Sequence, residues 1–189
     1  PQELAFLENL GTVSRLSGMR SMARLVDGSD QALVEVKAVD DAYPLYGELQ
    51  SDPPFPKEVL FGKQEGAYGA VAPDLLFERL GLKPGDRLKL GNATVELRAR
   101  LVNEPDAVSD GFGFAPRLMI GQAALAESGL VQPGSLVEHA YKLRLPEGTD
   151  DAALKAIQEE AAERFPQAGW SVRNRTNAAP ALSSNIERF

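Results

Sequence analysis

Pairs of adjacent carboxylates are the most frequent chemistry-bearing feature of this sequence. They are Asp40-Asp41, Asp150-Asp151 and Glu159-Glu160. General acid–base catalysis needs two carboxyl groups that converge across a cleft and have separated pKa values. Adjacent residues on a strand or a helix point in different directions. We therefore interpret these pairs as turns, helix caps and a solvated helix face, and we predict no catalytic residue. A periplasmic hydrolase or lipid-binding domain that uses carboxylates in a cleft is the alternative hypothesis.

Nucleophilic and metal chemistry have few candidates. The chain has no cysteine and one histidine, His139. The lack of cysteine excludes disulfides, thiolate metal ligands and cysteine nucleophiles. A zinc site around one histidine would need several carboxylates, which is uncommon. No Gly-x-Ser-x-Gly motif occurs, and His139 falls within an apolar strand pattern, where a packed histidine with one hydrogen-bond partner is expected. We predict no metal site.

Two glycine-rich stretches resemble nucleotide-binding loops only in part. Residues 62–69 lack the spacing of a phosphate-binding loop, and no Lys-Ser or Lys-Thr follows a second glycine. Residues 111–114 read Gly-Phe-Gly-Phe, but Pro116 takes the position of the third glycine of a dinucleotide motif. Both stretches are interpreted as turns, so the sequence predicts no cofactor.

Aromatic residues in Pro-rich and Gly-rich segments are the candidate contact residues for a partner or a substrate. Exposed aromatic side chains on such loops suit contact with a protein or a lipid. The alternative, in which these rings fill the core of their own subdomain, stays open, and Phe61 belongs to the same question. The predicted contact residues are Phe112, Phe114, Phe55 and Tyr68.

Composition sets further limits on the class of protein. The 189-residue chain has a formal net charge of −7, and its basic residues are scattered, which argues against binding to nucleic acid. No stretch approaches the roughly 20 apolar residues of a membrane-spanning helix. Residues 178–189 resemble a helix that stops partway, so we expect a piece of a larger protein. A processed soluble protein is the other interpretation.

Hydrophobic periodicity predicts an α+β fold, in which a mixed sheet carries helices on one face. Asp27-Gly28 marks a hairpin, and residues 43–116 form a β-rich insert. The predicted strands cover residues 13–26, 31–39, 87–90, 93–101, 117–120, 136–145 and 170–173. The predicted helices cover residues 3–10, 73–80, 122–128 and 150–165.

The same periodicity assigns side chains to buried or solvated faces. Lys37 and Arg98 fall on the solvated faces of their strands. In the strand at 136–145, Tyr141 falls on the buried face. Thr149 is the predicted cap of the last helix.

Four stretches in fixed order resemble permeases of the MacB and FtsX type, which are subunits of ABC transporters. Residues 36–47 read VKAVDDAYPLYG and match a stretch that ends in Tyr-Pro-Leu-x-Gly in that family. Residues 71–76 read VAPDLL and lead into LGLKPGD at 80–86. The set is completed by APRLMI at 115–120 and SGLVQPGS at 128–135. The resemblance covers residues 34–145 approximately. Within the family, the sequence is most similar to the branch of permeases whose operons also encode a periplasmic esterase.

The resemblance implies a non-catalytic domain that projects into the periplasm from a bacterial inner-membrane protein. A porter-like α/β part, here 1–42 with 117–177, would surround an inserted β-rich part at 43–116, and 178–189 would start a membrane helix. A separate cytoplasmic ATPase subunit would drive motion that the domain passes to a periplasmic partner or to a hydrophobic or lipidated substrate. The implied partners also include an esterase-like protein and a second copy of the permease. A purely structural dimerisation module is a further hypothesis.

Overall fold

The computed structural model describes residues 2–105 and 115–167. Their contacts divide the chain into two compact units. Thr12–Leu143 is the larger unit, and the described residues of Pro1–Gly11 and Arg144–Phe189 form the smaller one. The predicted parts at 1–42 with 117–177 and at 43–116 do not coincide with these units. The predicted strand at 170–173 and helix at 178–189 lie outside the described residues.

Nine strands and five helices occur in the described part of the chain. The strands are β1 (Thr12–Leu25), β2 (Gln31–Val39), β3 (Gln50–Asp52), β4 (Lys63–Gln64), β5 (Ala67–Ala72), β6 (Arg87–Leu90), β7 (Ala93–Asn103), β8 (Arg117–Gly121) and β9 (Glu138–Arg144). The helices are α1 (Gln2–Leu10), α2 (Lys57–Phe61), α3 (Asp74–Leu80), α4 (Gln122–Ser128) and α5 (Asp151–Arg164). The mixture confirms the predicted α+β class.

Six strands of the larger unit close into a ring, in the order β1-β2-β8-β5-β7-β6 and back to β1. The pairs β2–β8 and β5–β7 are parallel, and the other four are antiparallel. The short strands β3 and β4 pair outside the ring with β7 and β5, and β9 pairs with β1. Closure satisfies the backbone groups that an open sheet would leave at its two edges.

The ring has an apolar interior because its strands alternate between two faces. Inward positions are small or branched, and helices α3 and α4 contribute Leu76, Phe77, Ala124 and Leu125 to the same cluster. The interior side chains of the strands are Ala23, Val34, Val36, Ala38, Ala70, Ala72, Leu88, Leu90, Val95, Leu97, Leu118 and Ile120. A second cluster, which includes Leu16, Tyr43, Phe61 and Met119, lies outside the first.

Local signals placed the β1–β2 hairpin and helix α3 correctly. The hairpin pairs Arg24 with Gln31, and Gly28 in its loop has a φ of 75°. The hydroxyl and the backbone N–H of Ser29 donate to the Asp27 carboxylate, and these bonds lower the pKa of Asp27. Helix α3 follows Pro73 and ends at Gly81, whose left-handed φ of 66° suits glycine.

The burial predicted for β9 is wrong. Tyr141 is 43% exposed, and His139 is also exposed. Among the described residues, β9 pairs with β1 alone, so it is an edge strand of the sheet. An alternating apolar pattern on an edge strand does not mean that another layer packs on its apolar face. In β9, no residue on either face is fully buried.

The smaller unit contains α1 and α5. The rings of Phe6 and Phe165 meet edge to face with their centroids 5.5 Å apart, and the guanidinium of Arg164 lies 5.1 Å from the Phe6 ring. Helix α5 is capped by Asp150, whose carboxylate accepts from the backbone N–H of Ala153 at 2.8 Å. The predicted cap, Thr149, instead donates its hydroxyl proton to the carbonyl of Pro146.

We predict that Leu97→Ala lowers the free energy of unfolding by about 2–5 kcal/mol, because the deleted atoms leave a cavity in a closed interior. Leu97 is fully buried. The matched control is Leu75→Ala, since Leu75 is 62% exposed and should change stability by less than about 0.5 kcal/mol. Urea denaturation followed by circular dichroism measures both. Equal effects of the two substitutions would contradict the closed interior.

Candidate functional site

A Pro-rich segment and the end of β7 together form the surface that we call the lip, defined as residues 44–58 and 101–105. Strand β3 pairs antiparallel with β7, with Ser51 opposite Leu101. The side-chain amide of Asn103 donates to the carbonyl of Glu48 at 3.4 Å. Gly47 lies so close to Pro105 that a Cβ atom there would be 2.7 Å from the Cβ of Pro105. The two segments of the lip are therefore held against each other.

The Glu104 carboxylate fixes the lip to the ring. Its Oε1 atom lies 2.5 Å from Nζ of Lys37 on β2, and its Oε2 atom lies 3.4 Å from Nε of Arg117 on β8. The Lys37 ammonium also lies 4.9 Å from the ring centroid of Tyr43 and 3.5 Å from its hydroxyl. The side chains of Lys37 and Glu104 are 9% and 8% exposed. This cluster joins the end of β7 to two neighbouring ring strands.

Lys37 was assigned to a solvated face, and that prediction is wrong. Its position on β2 does face away from the ring interior, but the lip and Tyr43 cover that face. A buried charge requires a partner, and Glu104 supplies it. No sequence signal joins Lys37 to Glu104, because the two residues are 67 positions apart.

The other wrongly assigned cation is Arg98, which is 6% exposed. Its guanidinium donates to the carbonyls of Val59 and Gly62 at 2.5 Å and to that of Ala67 at 3.1 Å. Nε of Arg98 lies 3.2 Å from the Glu96 carboxylate. Arg98 thereby binds α2 and the following turn to β7.

The predicted contact residues fall in different places. Phe55 lies in the lip and is 41% exposed, whereas Phe112 and Phe114 lie outside the described residues. Tyr68 packs against the interior cluster from β5, opposite Val95. Val95 is seven positions before Val102, roughly 23 Å along an extended strand, so Tyr68 is not part of the lip.

The positions of Tyr68 and Phe61 agree with the alternative interpretation of the sequence, in which these aromatic rings fill the core of their own subdomain. Phe61 is 9% exposed at the end of α2 and belongs to the second cluster. Nζ of Lys63 lies 5.2 Å from the ring centroid of Tyr68. A hydrogen bond to Glu127 raises the pKa of Lys63, so the ammonium remains protonated over the ring.

Two exposed apolar residues of the lip escaped the sequence analysis. Tyr46 is 66% exposed and Val102 is 63% exposed. Tyr46 belongs to the Tyr-Pro-Leu-Tyr-Gly stretch, and a tyrosine within a loop rich in proline was the available signal. Val102 lies on β7 beyond Arg100, where the pairing with β5 ends, and it breaks the apolar–polar alternation of the strand.

The lone histidine, His139, contacts the serine Ser17. Nδ1 of His139 lies 3.0 Å from Oγ of Ser17, and Oγ is also within 3.2 Å of the side-chain nitrogen of Gln122. Ser17 is only 1% exposed, so its hydroxyl cannot reach a substrate. Across the described residues, no cluster of three or more His, Cys, Asp or Glu side chains could hold a metal ion.

Comparison with known proteins finds one relative of stated function class. Over 115 residues, 61% of the chain, it is 40% identical to an uncharacterized ABC transporter permease, YbbP, of Escherichia coli (strain K12). The chain is thus similar to an ABC transporter permease. The match covers 13% of that protein, so the chain spans a small part of its relative. No protein-family model matches the chain.

A solved structure shares the fold. It is the crystal structure of a domain from a Porphyromonas gingivalis protein provisionally assigned as a permease, and it matches with a TM-score of 0.50. The match covers 85% of this chain and 72% of the other chain, at 12% sequence identity. Identity this low supports the shared fold alone. Among the described residues, no helix has the length and hydropathy needed to cross a membrane.

We predict that Glu104→Gln lowers the free energy of unfolding by about 3–5 kcal/mol, because it leaves the buried ammonium of Lys37 without its carboxylate. The control is Glu127→Gln, which breaks an exposed ion pair with Lys63 and should cost less than about 1 kcal/mol. Urea denaturation of both variants measures the difference. An equally small effect for Glu104→Gln would show that the cluster does not hold the lip.

Proposed function

We propose that the chain is a periplasmic, non-catalytic domain of an ABC transporter permease of the MacB and FtsX type. The observation that carries this proposal is the 40% identity to a permease over 115 residues. A cytoplasmic ATPase subunit would move the membrane helices, and this domain would pass that motion to a periplasmic partner or to a hydrophobic or lipidated substrate. In this proposal the permease works as a dimer, and an esterase-like protein is a candidate partner.

The geometry of the larger unit supports a role as a relay. Transmission of motion requires a body that does not deform, with a contact surface fixed to it. The closed ring supplies such a body, because its interior is packed with small and branched apolar side chains. The buried Lys37–Glu104–Arg117 cluster fixes the lip to two strands of that ring.

The contact surface in this proposal is the lip with Phe55, to which the predicted Phe112 and Phe114 are added as proposed contact residues. Tyr46 and Val102 extend the exposed apolar area of the lip. Tyr68 remains the least supported of the predicted contact residues, since its ring packs on the interior cluster. The hydrolase alternative would instead require two carboxylates that converge across a cleft.

Periplasmic placement can be tested with one cysteine, because the chain has none of its own. In the full-length protein, made free of other cysteines, we expect Leu136→Cys to react with a membrane-impermeant maleimide in intact spheroplasts. Leu136 is 93% exposed. The control Ala70→Cys replaces a fully buried residue and should react only after denaturation. Labelling of Leu136→Cys only after lysis would refute periplasmic placement.

If the domain relays motion as a rigid body, the distance between the lip and the rest of the larger unit should not change when the ATPase hydrolyses ATP. Spin labels on Phe55→Cys and Leu136→Cys, in the full-length protein with its ATPase in nanodiscs, should give the same distance distribution with ATP and with ADP. Adding Glu104→Gln should broaden that distribution, because it releases the anchor of the lip. A distance that shifts with ATP in the unaltered background would contradict a rigid relay.

A further inference from the structure

The two segments of the lip carry exposed apolar and exposed acidic side chains. Its apolar residues are Tyr46, Phe55 and Val102, which are 66%, 41% and 63% exposed. Its exposed acidic residues are Glu48, Asp52 and Glu58. The apolar residues and the carboxylates come from the same two segments, which β3 and the Asn103–Glu48 hydrogen bond hold together.

The three carboxylates carry charge that the described structure does not neutralise. No ion pair within the described residues involves Glu48, Asp52 or Glu58. By contrast, the fourth acidic residue of the lip, Glu104, is buried and paired with Lys37 and Arg117. The exposed acidic side chains are thus available to a partner.

Two cations near these carboxylates, Lys57 and Arg100, bind other groups of the domain. Lys57 donates to the backbone carbonyls of Asp41 and Tyr43. Arg100, opposite Asp52 on β7, forms an ion pair with Asp74 at 2.7 Å and lies 5.0 Å from the Phe77 ring. Lys57 is the one basic residue of the lip, so the three exposed carboxylates give these two segments a net negative charge.

We propose that the lip docks a protein surface on which basic residues surround an apolar patch. This inference rests on the proposed function and names the chemistry of the partner. Protein interfaces combine an apolar centre with a polar rim, and complementary charge across the rim favours association. Anionic phospholipid headgroups would be repelled by the same carboxylates. The lip therefore suits a basic protein rather than the membrane surface.

The test places a photo-crosslinking phenylalanine at position 55 of the full-length protein in living cells. We expect a covalent adduct with a protein, identified by mass spectrometry, whose crosslinked peptide lies within a basic and apolar surface. The charge-reversed variant Glu48→Lys, Asp52→Lys and Glu58→Lys should reduce the adduct by about tenfold or more, because like charges then meet across the interface.

The matched control reverses three exposed carboxylates of the same unit away from the lip. These are Glu65, Glu78 and Glu138, so both variants have the same net charge. The control should leave the adduct unchanged. Reversing basic residues on the partner's crosslinked surface should restore the adduct of the lip variant. Growth in radiolabelled phosphate detects adducts with phospholipid in the same samples.

Three outcomes would overturn the inference: adducts with phospholipid, a protein adduct that survives charge reversal of the lip, or no adduct at all. None of these depends on where the domain is placed. Cysteine labelling at position 136 tests the periplasmic proposal separately. If that labelling succeeds while position 55 crosslinks to lipid, only the basic partner is refuted.

Discussion

The parallel pairing of β5 with β7 is the constraint on which the rest of the larger unit depends. It joins the two ends of an otherwise open sheet and produces a closed apolar interior. To reach β7, strand β5 passes so close to α2 that a Cβ atom at Gly69 would overlap the carbonyl oxygen of Leu60. Only glycine allows that approach, and the backbone contact brings α2 against the ring.

The same pairing explains why Arg98 is buried. The register passes from Ala70–Leu97 to Val71–Ala99, so Arg98 is the extra residue of a β-bulge. A bulge bends its strand and redirects the side chains that follow. Leu97 therefore packs in the ring interior, whereas Ala99 packs in the second cluster. The carbonyls at the end of α2 bind the Arg98 guanidinium, which needs acceptors once it leaves water.

Past the bulge, β7 continues into the lip, where the Glu104 carboxylate pairs with Lys37 and Arg117. Buried ion pairs contribute little net stability, because desolvation offsets most of the attraction, but removal of one partner is costly. The Glu104 pair therefore specifies where the lip attaches to β2 and β8. In the proposed function, the exposed apolar and acidic side chains of the lip are the contact surface. Its one serine–histidine pair is closed to substrate.

The sequence by itself determined the elements that depend on local chemistry. Alternation located β1, β2 and β7, and Pro73 with Gly81 bounded helix α3. The ordered resemblance also indicated a permease domain, and the proline-rich composition around Phe55 made it a candidate contact residue. These features are readable because strand period, turn residues and helix caps act within a few residues of one another.

Only the tertiary structure decided which strands meet and which outward faces are covered. The β5–β7 pairing, the burial of Lys37 by Glu104 and the exposure of β9 all depend on contacts between distant parts of the chain. A charged side chain on an alternating strand has the same local pattern whether water or a loop covers it. The physical reason is that a side chain is buried by the residues that pack against its face of the strand. Hydrophobic periodicity shows only which residues share that face.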